Sequence, residues 1–323
     1  MAKKPLTVSY CITCKGRKHH VAQTLRANMD AEKNNPNVEF VLLDYDSRDG
    51  LSDYIRKEFA ADIASHKLRY AKVEQAPYFQ YAHAKNMAHR LATGDILVNL
   101  DADNFIAPDS SHWLVRQFQA HPHSIATVLT RTFADEVKQK VQKRLGRYDV
   151  PDCASGRIAL LHTDFNRLGG YNESFSAWGG EDTDIALRAR DAGLHKIAWP
   201  RELIGSAIDH SNEERVKLLS AEDAALSRSR FAKPHWTRVR EEMLGVLKRY
   251  QPVVNDGNVG CGVVTINFTD HQTHIEPLSP VGRTLLGRPV LGESRQSELS
   301  HALKADWAAT HGARDPQLHG QHI

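Results

Sequence analysis

The chain has 323 residues, 41% of them hydrophobic, and its 42 Lys and Arg against 39 Asp and Glu leave a formal net charge of +3. That length and apolar fraction suffice for one large domain or two smaller ones and exclude wholesale disorder. The small net charge gives no global argument for a nucleic-acid partner, and no apolar run approaches the roughly 20 residues that span a bilayer. The start, Met1-Ala2-Lys3-Lys4-Pro5, is basic, but the apolar stretch behind it is short and polar-studded, so no signal peptide is expected. Four cysteines, Cys11, Cys14, Cys153 and Cys261, do not make a disulfide framework in a chain this long, and the expected compartment is a reducing cytoplasm.

Leu6 to Ile12 reads as a short strand. Cys11-Ile12-Thr13-Cys14 at its end has the C-x-x-C spacing of a redox or metal half-site. No second pair accompanies it, and the plainer reading is two small residues closing a buried strand. Gly16-Arg17 turns the chain into a helix from His20 to Met29, with apolar positions at Val21, Leu25 and Met29. Val38 to Leu43 is a buried-type strand running into the carboxylate-rich turn Asp44 to Gly50. A helix over Ser52 to Ala64, a strand over Leu68 to Val73 and a helix over Ala82 to Ala92 follow. After Thr93-Gly94, the strand Asp95 to Leu100 delivers Asp101 and Asp103 at its carboxyl end. Strands alternating with helices imply an α/β fold with a parallel sheet and right-handed crossovers. Ligands in such sheets bind outside the carboxyl ends of the strands, where the Asp44 and Asp101 turns both lie.

Further on, Trp113 to Ala120 reads as a helix, Ile125 to Leu129 and Gly156 to Leu161 as strands, and Val137 to Leu145 as a basic helix. The helix Ile185 to Ala192, closed by Gly193, precedes a strand from Leu194 to Trp199 and the segment Ile204 to His210. Glu213 to Tyr250 is helical and basic, broken near Pro234; Gln251 to Gly262 is loop, and Val263 to Phe268 one last strand. The expected organisation is an α/β domain over 1–212, a helical or mixed extension over 213–310, and a mobile tail over 311–323.

The densest segment runs Gly169 to Asp184 and holds Trp178-Gly179-Gly180-Glu181-Asp182. Gly lets backbone approach a ligand closely, and Trp offers a flat apolar face of the kind that stacks on a sugar ring. Carboxylates at a helix start suit the helix dipole and can serve as general bases, which makes Asp182 the candidate base and Glu181 a residue that orients the acceptor or the loop. Asp101 and Asp103, placed in a turn just past a strand, can share one divalent ion, and hard carboxylate oxygens suit Mg²⁺ or Mn²⁺ on a nucleotide diphosphate. His210 could complete that shell, since imidazole suits Mn²⁺ better than Mg²⁺. Together the two acidic clusters read as a metal-dependent sugar-transfer site.

These motifs resemble the GT-A glycosyltransferases, chiefly family 2, with a C-terminal half like the galactosyltransferases and polypeptide GalNAc-transferases. Trp178 to Asp182 is similar to the W-G-G-E-D motif of the galactosyltransferase group, Asp101-Ala102-Asp103 to the family's D-x-D, and Ile208-Asp209-His210-Ser211 to the segment whose His binds the metal. The resemblance implies a Rossmann-like GT-A fold, a mostly parallel sheet flanked by helices with a helical C-terminal extension, a UDP-sugar donor, and Mn²⁺ or Mg²⁺ held by Asp101, Asp103 and His210. It implies donor contacts from Thr13, Arg17, Asp44, Asp46, Lys85, Asp101, Trp178 and Gly180, and catalysis by Asp182 with Glu181. Two departures stand out: Asp44-Tyr45 replaces the family's usual Asp-Asp pair, and Ala207 stands where animal galactosyltransferases have a Met ligand. The GalNAc-transferases typically carry Asn where this chain has Asp182, which favours inversion over retention. The alternatives are a retaining transferase, a DNA-modifying transferase acting on a hydroxylated base, and a carbohydrate-binding protein without catalysis.

The acceptor stays open among glycan precursors, a lipid-linked sugar, a protein side chain and modified DNA. Basic residues gather at Lys138, Lys140, Lys143, Arg144 and Arg147, then at Arg228, Arg230, Lys233, Arg238, Arg240, Lys248 and Arg249 beside Phe231, His235 and Trp236. They read as solvated helix faces or, alternatively, as a groove for a polyanionic acceptor such as nucleic acid.

Overall fold

The computed structural model describes residues 5–127 and 156–278. Strand β1 (Val8–Cys14) is buried at every position, as a strand covered on both faces of a sheet must be. β2 (Val38–Tyr45) and β4 (Ile96–Leu100) flank it, both parallel to it, and β3 (Leu68–Val73) pairs in parallel with β2. The crossovers are α1 (Lys18–Ala31), α2 (Leu51–Glu58) with the short α3 (Ala60–Ala64), and α4 (Tyr81–Leu91). Val21, Leu25 and Met29 recur every fourth residue and put one stripe of α1 into the core. The chain goes from β1 outward through β2 to β3, then returns to place β4 on the other side of β1. That reversal opens a crevice at the carboxyl ends of β1 and β4.

The second half adds β5 (Asn104–Ile106), α5 (Ser110–Ala120), β6 (Ser124–Thr127), β7 (Arg157–Leu161), α6 (His162–Leu168) and α7 (Glu181–Asp191). It continues through β8 (His195–Ala198), β9 (Ile204–Ala207), α8 (Asn212–Val216), α9 (Ala221–Phe231), α10 (His235–Arg249), β10 (Gly262–Ile266) and β11 (Gln272–Ile275). The nine-stranded sheet has the order β11-β10-β3-β2-β1-β4-β7-β6-β8, and β5 and β9 form a separate antiparallel ribbon. One apolar cluster joins Tyr10, Ile12, Leu25, Leu51, Leu114 and Phe118 on one sheet face; another joins Cys11, Leu43, Met87, Phe165 and Ile185 on the other. The molecule is therefore a helix–sheet–helix sandwich, the expected mostly parallel α/β architecture.

The antiparallel members of the mostly parallel sheet are β7, which runs against β4 and β6, and β10, which runs against β3 and β11. Several local expectations are corrected. The hairpin of β10 and β11 extends the main sheet from residues well past 212. The helix expected over Ser52 to Ala64 is interrupted at Phe59, whose ring is buried and whose backbone leaves helical values. α7 begins at Glu181, four residues before its apolar stripe, because Gly180 ends the loop at φ +100 and the first-turn carboxylates favour the dipole. α6 and the β5–β9 ribbon are too short for periodicity to reveal. Val128 and Leu129, the expected basic helix Val137 to Leu145 and the tail from His311 lie outside the described residues.

The loop between α6 and α7 is anchored at both ends by Arg188. Its guanidinium pairs with Asp184 at 2.7 Å, both side chains fully buried. It also donates to the carbonyls of Leu168 and Gly170 at 2.7 Å each. Removing only the cation would leave a buried carboxylate and two carbonyls unpaired. Arg188→Met is expected to cost about 3–5 kcal/mol, the usual penalty for breaking a buried pair. A lowered urea midpoint at unchanged slope would show it, and a midpoint equal to the unaltered protein's would refute it.

Candidate active site

Both acidic clusters reach the crevice, and Gly156 separates them. Its carbonyl accepts from the Asp101 amide at 3.2 Å and from the Asn99 side chain at 3.1 Å. Its own amide donates to Asp182 Oδ2 at 3.3 Å. Gly156 sits at φ +58, and a Cβ there would lie 2.2 Å from Asp101 Oδ2. No motif marked it; the only sequence signal was a glycine at the mouth of a strand.

Lys85, on α4 and buried, points its ammonium at both catalytic candidates, 2.9 Å from Glu181 Oε1 and 2.7 Å from Asp182 Oδ1. The resemblance implies a donor contact for Lys85; in the structure its ammonium is the counter-ion of the two carboxylates. Burial opposes its charge, but Asp182, Glu181 and Asp101 outweigh it and hold Lys85 protonated, raised well above its ordinary value. Burial raises the Asp182 carboxyl; Lys85 pulls it back, Glu181 and Asp101 push further, and it settles at about 7. Asp101, Asp103, Glu181 and Asp182 outnumber the Lys85 and Arg157 cations that face them, so the pocket favours a cation.

The β5–β9 ribbon carries the second pair. The Ile208 amide donates to the Asp103 carbonyl at 2.8 Å, which sets His210 Nε2 2.7 Å from Asp103 Oδ2. Arg157, projecting from β7, donates to the carbonyls of Phe105, Gly205 and Ser206 and holds the ribbon from beneath. Burial and the nearby Asp101 raise the Asp103 carboxyl, while His210 lowers it. The Asp101 carboxylate accepts from Asn99 at 3.1 Å, and among the described residues the ligand atoms of Asp101, Asp103 and His210 do not all lie within 4.8 Å of one another. A facing carboxylate and imidazole in a net-negative pocket fit Mn²⁺ or Mg²⁺, which take the rest of their shell from phosphate oxygens and water.

The expected donor contacts divide. Thr13 ends β1 at the crevice, and Arg17 there donates to the Glu214 carbonyl at 2.9 Å. Asp44 is enclosed, with one oxygen accepting from the Ser47 amide and the other from the Tyr70 hydroxyl, each at 2.7 Å. Asp46, at φ +57, has a carboxylate oxygen without a hydrogen bond, 3.6 Å from the Arg48 guanidinium. Trp178 is half-buried, its ring 5.2 Å from the Arg215 guanidinium and 5.0 Å from the Phe231 ring. Gly179 and Gly180 both take left-handed backbone, φ +91 and +100, which only glycine adopts without strain.

Cys11 and Cys14 fall on opposite faces of β1, one in each apolar cluster. Burial pushes the Cys14 thiol up to about 12, so the C-x-x-C spacing is the packing feature that the plainer reading expected. Of the basic residues, Arg228 pairs with Glu213, Lys233 with Glu241, and Arg230 donates to the Trp178 carbonyl. Lys138 to Arg147 lie outside the described residues, as do the side chains of His235, Trp236 and Arg240. The polyanion groove therefore gains no support. Among the described residues no helix is long and apolar enough to cross a membrane.

The profile of glycosyl transferase family 2 matches residues 9–178, more than half of the chain, and ends three residues before Glu181. Validoxylamine A glucosyltransferase of Streptomyces hygroscopicus subsp. jinggangensis is 30% identical over 92 residues, 28% of this chain. The chain spans about a fifth of that relative, 21% of its length. Among solved structures, the mannosyltransferase PcManGT of Pyrobaculum calidifontis, in complex with GDP-Man and Mn²⁺, superposes with a TM-score of 0.55 at 17% identity, over 98% of this chain and 78% of that one. Staphylococcus aureus TarS gives a TM-score of 0.55 at 12% identity, over 98% of this chain and 76% of that one. TarS in complex with UDP-GlcNAc gives 0.50 at 13% identity, over 76% and 72%.

The geometry around Lys85 has a direct consequence. An opposite charge this close lowers a carboxyl by about 1–3 units. Lys85→Met removes it while burial, Glu181 and Asp101 still push upward. The Asp182 carboxyl is expected to rise by roughly one unit or more. Carbon-13 NMR titration of labelled aspartates would read the shift, and an unmoved or lowered titration would contradict the pairing.

Proposed function

Because the chain belongs to glycosyl transferase family 2, we propose that it moves a sugar from a nucleotide-diphosphate sugar, most simply a UDP-sugar, to an acceptor hydroxyl with inversion at the anomeric carbon. The observation that carries this reading is the Asp182 carboxylate. One oxygen is fixed by Lys85 at 2.7 Å; the other has only the long 3.3 Å bond from the Gly156 amide. A carboxyl raised to about 7 is a strong base for a carboxylate and is still ionised in part at neutral pH. The resemblance of Trp178 to Asp182 to the galactosyltransferase motif supports the same role.

In this reading the acceptor oxygen attacks the anomeric carbon from the face opposite the diphosphate. Its proton passes to the free Asp182 oxygen, the bond to the diphosphate breaks, and the nucleotide diphosphate leaves. Lys85 keeps Asp182 and Glu181 in place, and Glu181 orients the acceptor or the loop. Thr13, Arg17 and Asp46 face the nucleoside end, Trp178 and Gly180 the sugar. Asp103 and His210 would hold Mn²⁺ or Mg²⁺, with Asp101 at the sugar–diphosphate side; when bound, the ion supplies Lewis-acid stabilisation of the leaving diphosphate. PcManGT and TarS, solved with GDP-Man and Mn²⁺ and with UDP-GlcNAc, support a nucleotide-sugar donor. We place the activity in the cytoplasm, in keeping with three unpaired cysteines among the described residues.

Asp182→Asn keeps the shape and the Lys85 contact but cannot take the proton. Turnover is expected to fall about 10²-fold or more with UDP affinity nearly intact; near-normal transfer would remove Asp182 from the role. The base works only when deprotonated, so the rate of the unaltered enzyme should decline as pH drops below about 7, and a rate that is flat from pH 5 to 8 would contradict it. Asp103→Ala and His210→Ala should each weaken the Mn²⁺-dependent part of UDP or GDP binding in calorimetry. Unchanged metal dependence in both variants would free them from the site.

A further inference from the structure

A second ligand cluster lies beside the Asp103–His210 pair and shares no residue with it. His19 and His20 stand in the first turn of α1, and Glu214 stands in α8. His19 Nε2 is 3.0 Å and His20 Nε2 3.6 Å from Glu214 Oε1. Among the described residues this is the one trio of imidazoles, thiols or carboxylates whose ligand atoms all lie within 4.8 Å of one another. A tetrahedral ion with bonds of about 2.0–2.1 Å separates its ligand atoms by roughly 3.3–3.4 Å, and the two measured spacings straddle that edge.

His20 gives the cluster a second, independent mark. Its side chain is 2% exposed. Nδ1 has no hydrogen-bond partner, and Nε2 faces Glu214 at 3.6 Å, longer than a hydrogen bond. A buried polar ring without an anchoring bond at either nitrogen is uncommon in folded proteins. Coordination through Nε2 would fix its orientation. The Arg17 guanidinium donates to the Glu214 backbone carbonyl, while the carboxylate faces the imidazoles. His19 is exposed, so an ion has an entry path and an open fourth position for water.

We propose that His19, His20 and Glu214 form a second metal site, for a borderline divalent ion of the zinc class, that fastens the segment around α8 to the start of α1. Two imidazoles and one carboxylate are the donors such ions take. The segment so fastened contains His210 on one side of Glu214 and Arg215, which lies over Trp178, on the other. The Tyr81 hydroxyl and Arg17 already hold it through the Arg215 and Glu214 carbonyls. The site stands on its own geometry and does not require the transfer reaction.

The test uses the full chain, without a polyhistidine tag and without donor, titrated with Zn²⁺ by calorimetry and with Co²⁺ by visible absorption. The unaltered protein should bind Zn²⁺ and give the strong absorption of four-coordinate Co²⁺. His19→Ala and Glu214→Gln should each weaken this binding by about 100-fold or more, since losing even an outer-shell partner costs about 10–100-fold. Asp103→Ala should keep it. His19 is exposed, with its imidazole against Glu214 and the His20 ring, so that variant should fold normally, with an unchanged melting temperature in chelator. Zn²⁺ should also slow hydrogen exchange of residues 208–219 in the unaltered protein alone. The proposal is overturned if the unaltered protein shows no such Zn²⁺ or Co²⁺ site, if His19→Ala and Glu214→Gln bind as it does, or if Asp103→Ala abolishes the binding.

Discussion

The buried ammonium of Lys85 is the interaction on which the site depends. It is close to two carboxylates that would otherwise repel each other in a low-dielectric pocket, and a third, Asp101, adds to the charge around it. Burial first, then the neighbouring Glu181 and Asp101, outweigh Lys85 and keep the Asp182 carboxyl high, as a base needs, and the same acidic groups make the crevice one that favours a cation. The same cluster of buried acidic groups thus underlies both the candidate base and the fit of the pocket to a cation.

The fold positions that cluster through α4, which spans the sheet between β3 and β4. Lys85 takes the carboxylates at the start of α7, and its neighbour Asn86 takes the beginning of the same loop. The Asn86 amide exchanges hydrogen bonds with the Tyr171 backbone at 2.7 and 2.8 Å and donates to Glu173 at 2.7 Å. Residues far along the chain close the arrangement: the Gly260 amide donates to Glu173 and the Asn255 side chain to the Gly169 and Tyr171 carbonyls. Arg188 ties the loop to α7 from the other side. The loop that carries Trp178 is therefore held at its root by α4, by α7 and by the segment leading to β10. Its tip packs against α9, where the Trp178 amide meets Ser227 at 3.3 Å.

Much of this was legible in the sequence because it rests on local chemistry. Apolar runs marked β1 to β4, four-residue periodicity marked α1, and the paired acidic motifs at strand and helix ends singled out Asp101, Asp103 and Asp182 as candidates. What escaped depends on contacts between distant segments. Nothing local distinguishes a lysine that binds a ligand from Lys85, which meets residues nearly a hundred positions away. Gly156 matters through Asp101 and Asp182, and neither is near it in sequence. The direction of β7 and the docking of β10 on β3 are set by pairing partners, to which strand propensity is blind. His19, His20 and Glu214 come together only because α8 folds back on the start of α1.

The most direct test of the account is the stereochemistry of the first product. Nucleotide sugars of the UDP and GDP series can be offered with Mn²⁺ and with water as the acceptor, and the released sugar read by proton NMR before it mutarotates. A single displacement assisted by Asp182 predicts that the anomer formed first is inverted relative to the donor. A first-formed sugar that retains the donor's configuration would contradict the assignment of Asp182 as the base of a one-step transfer.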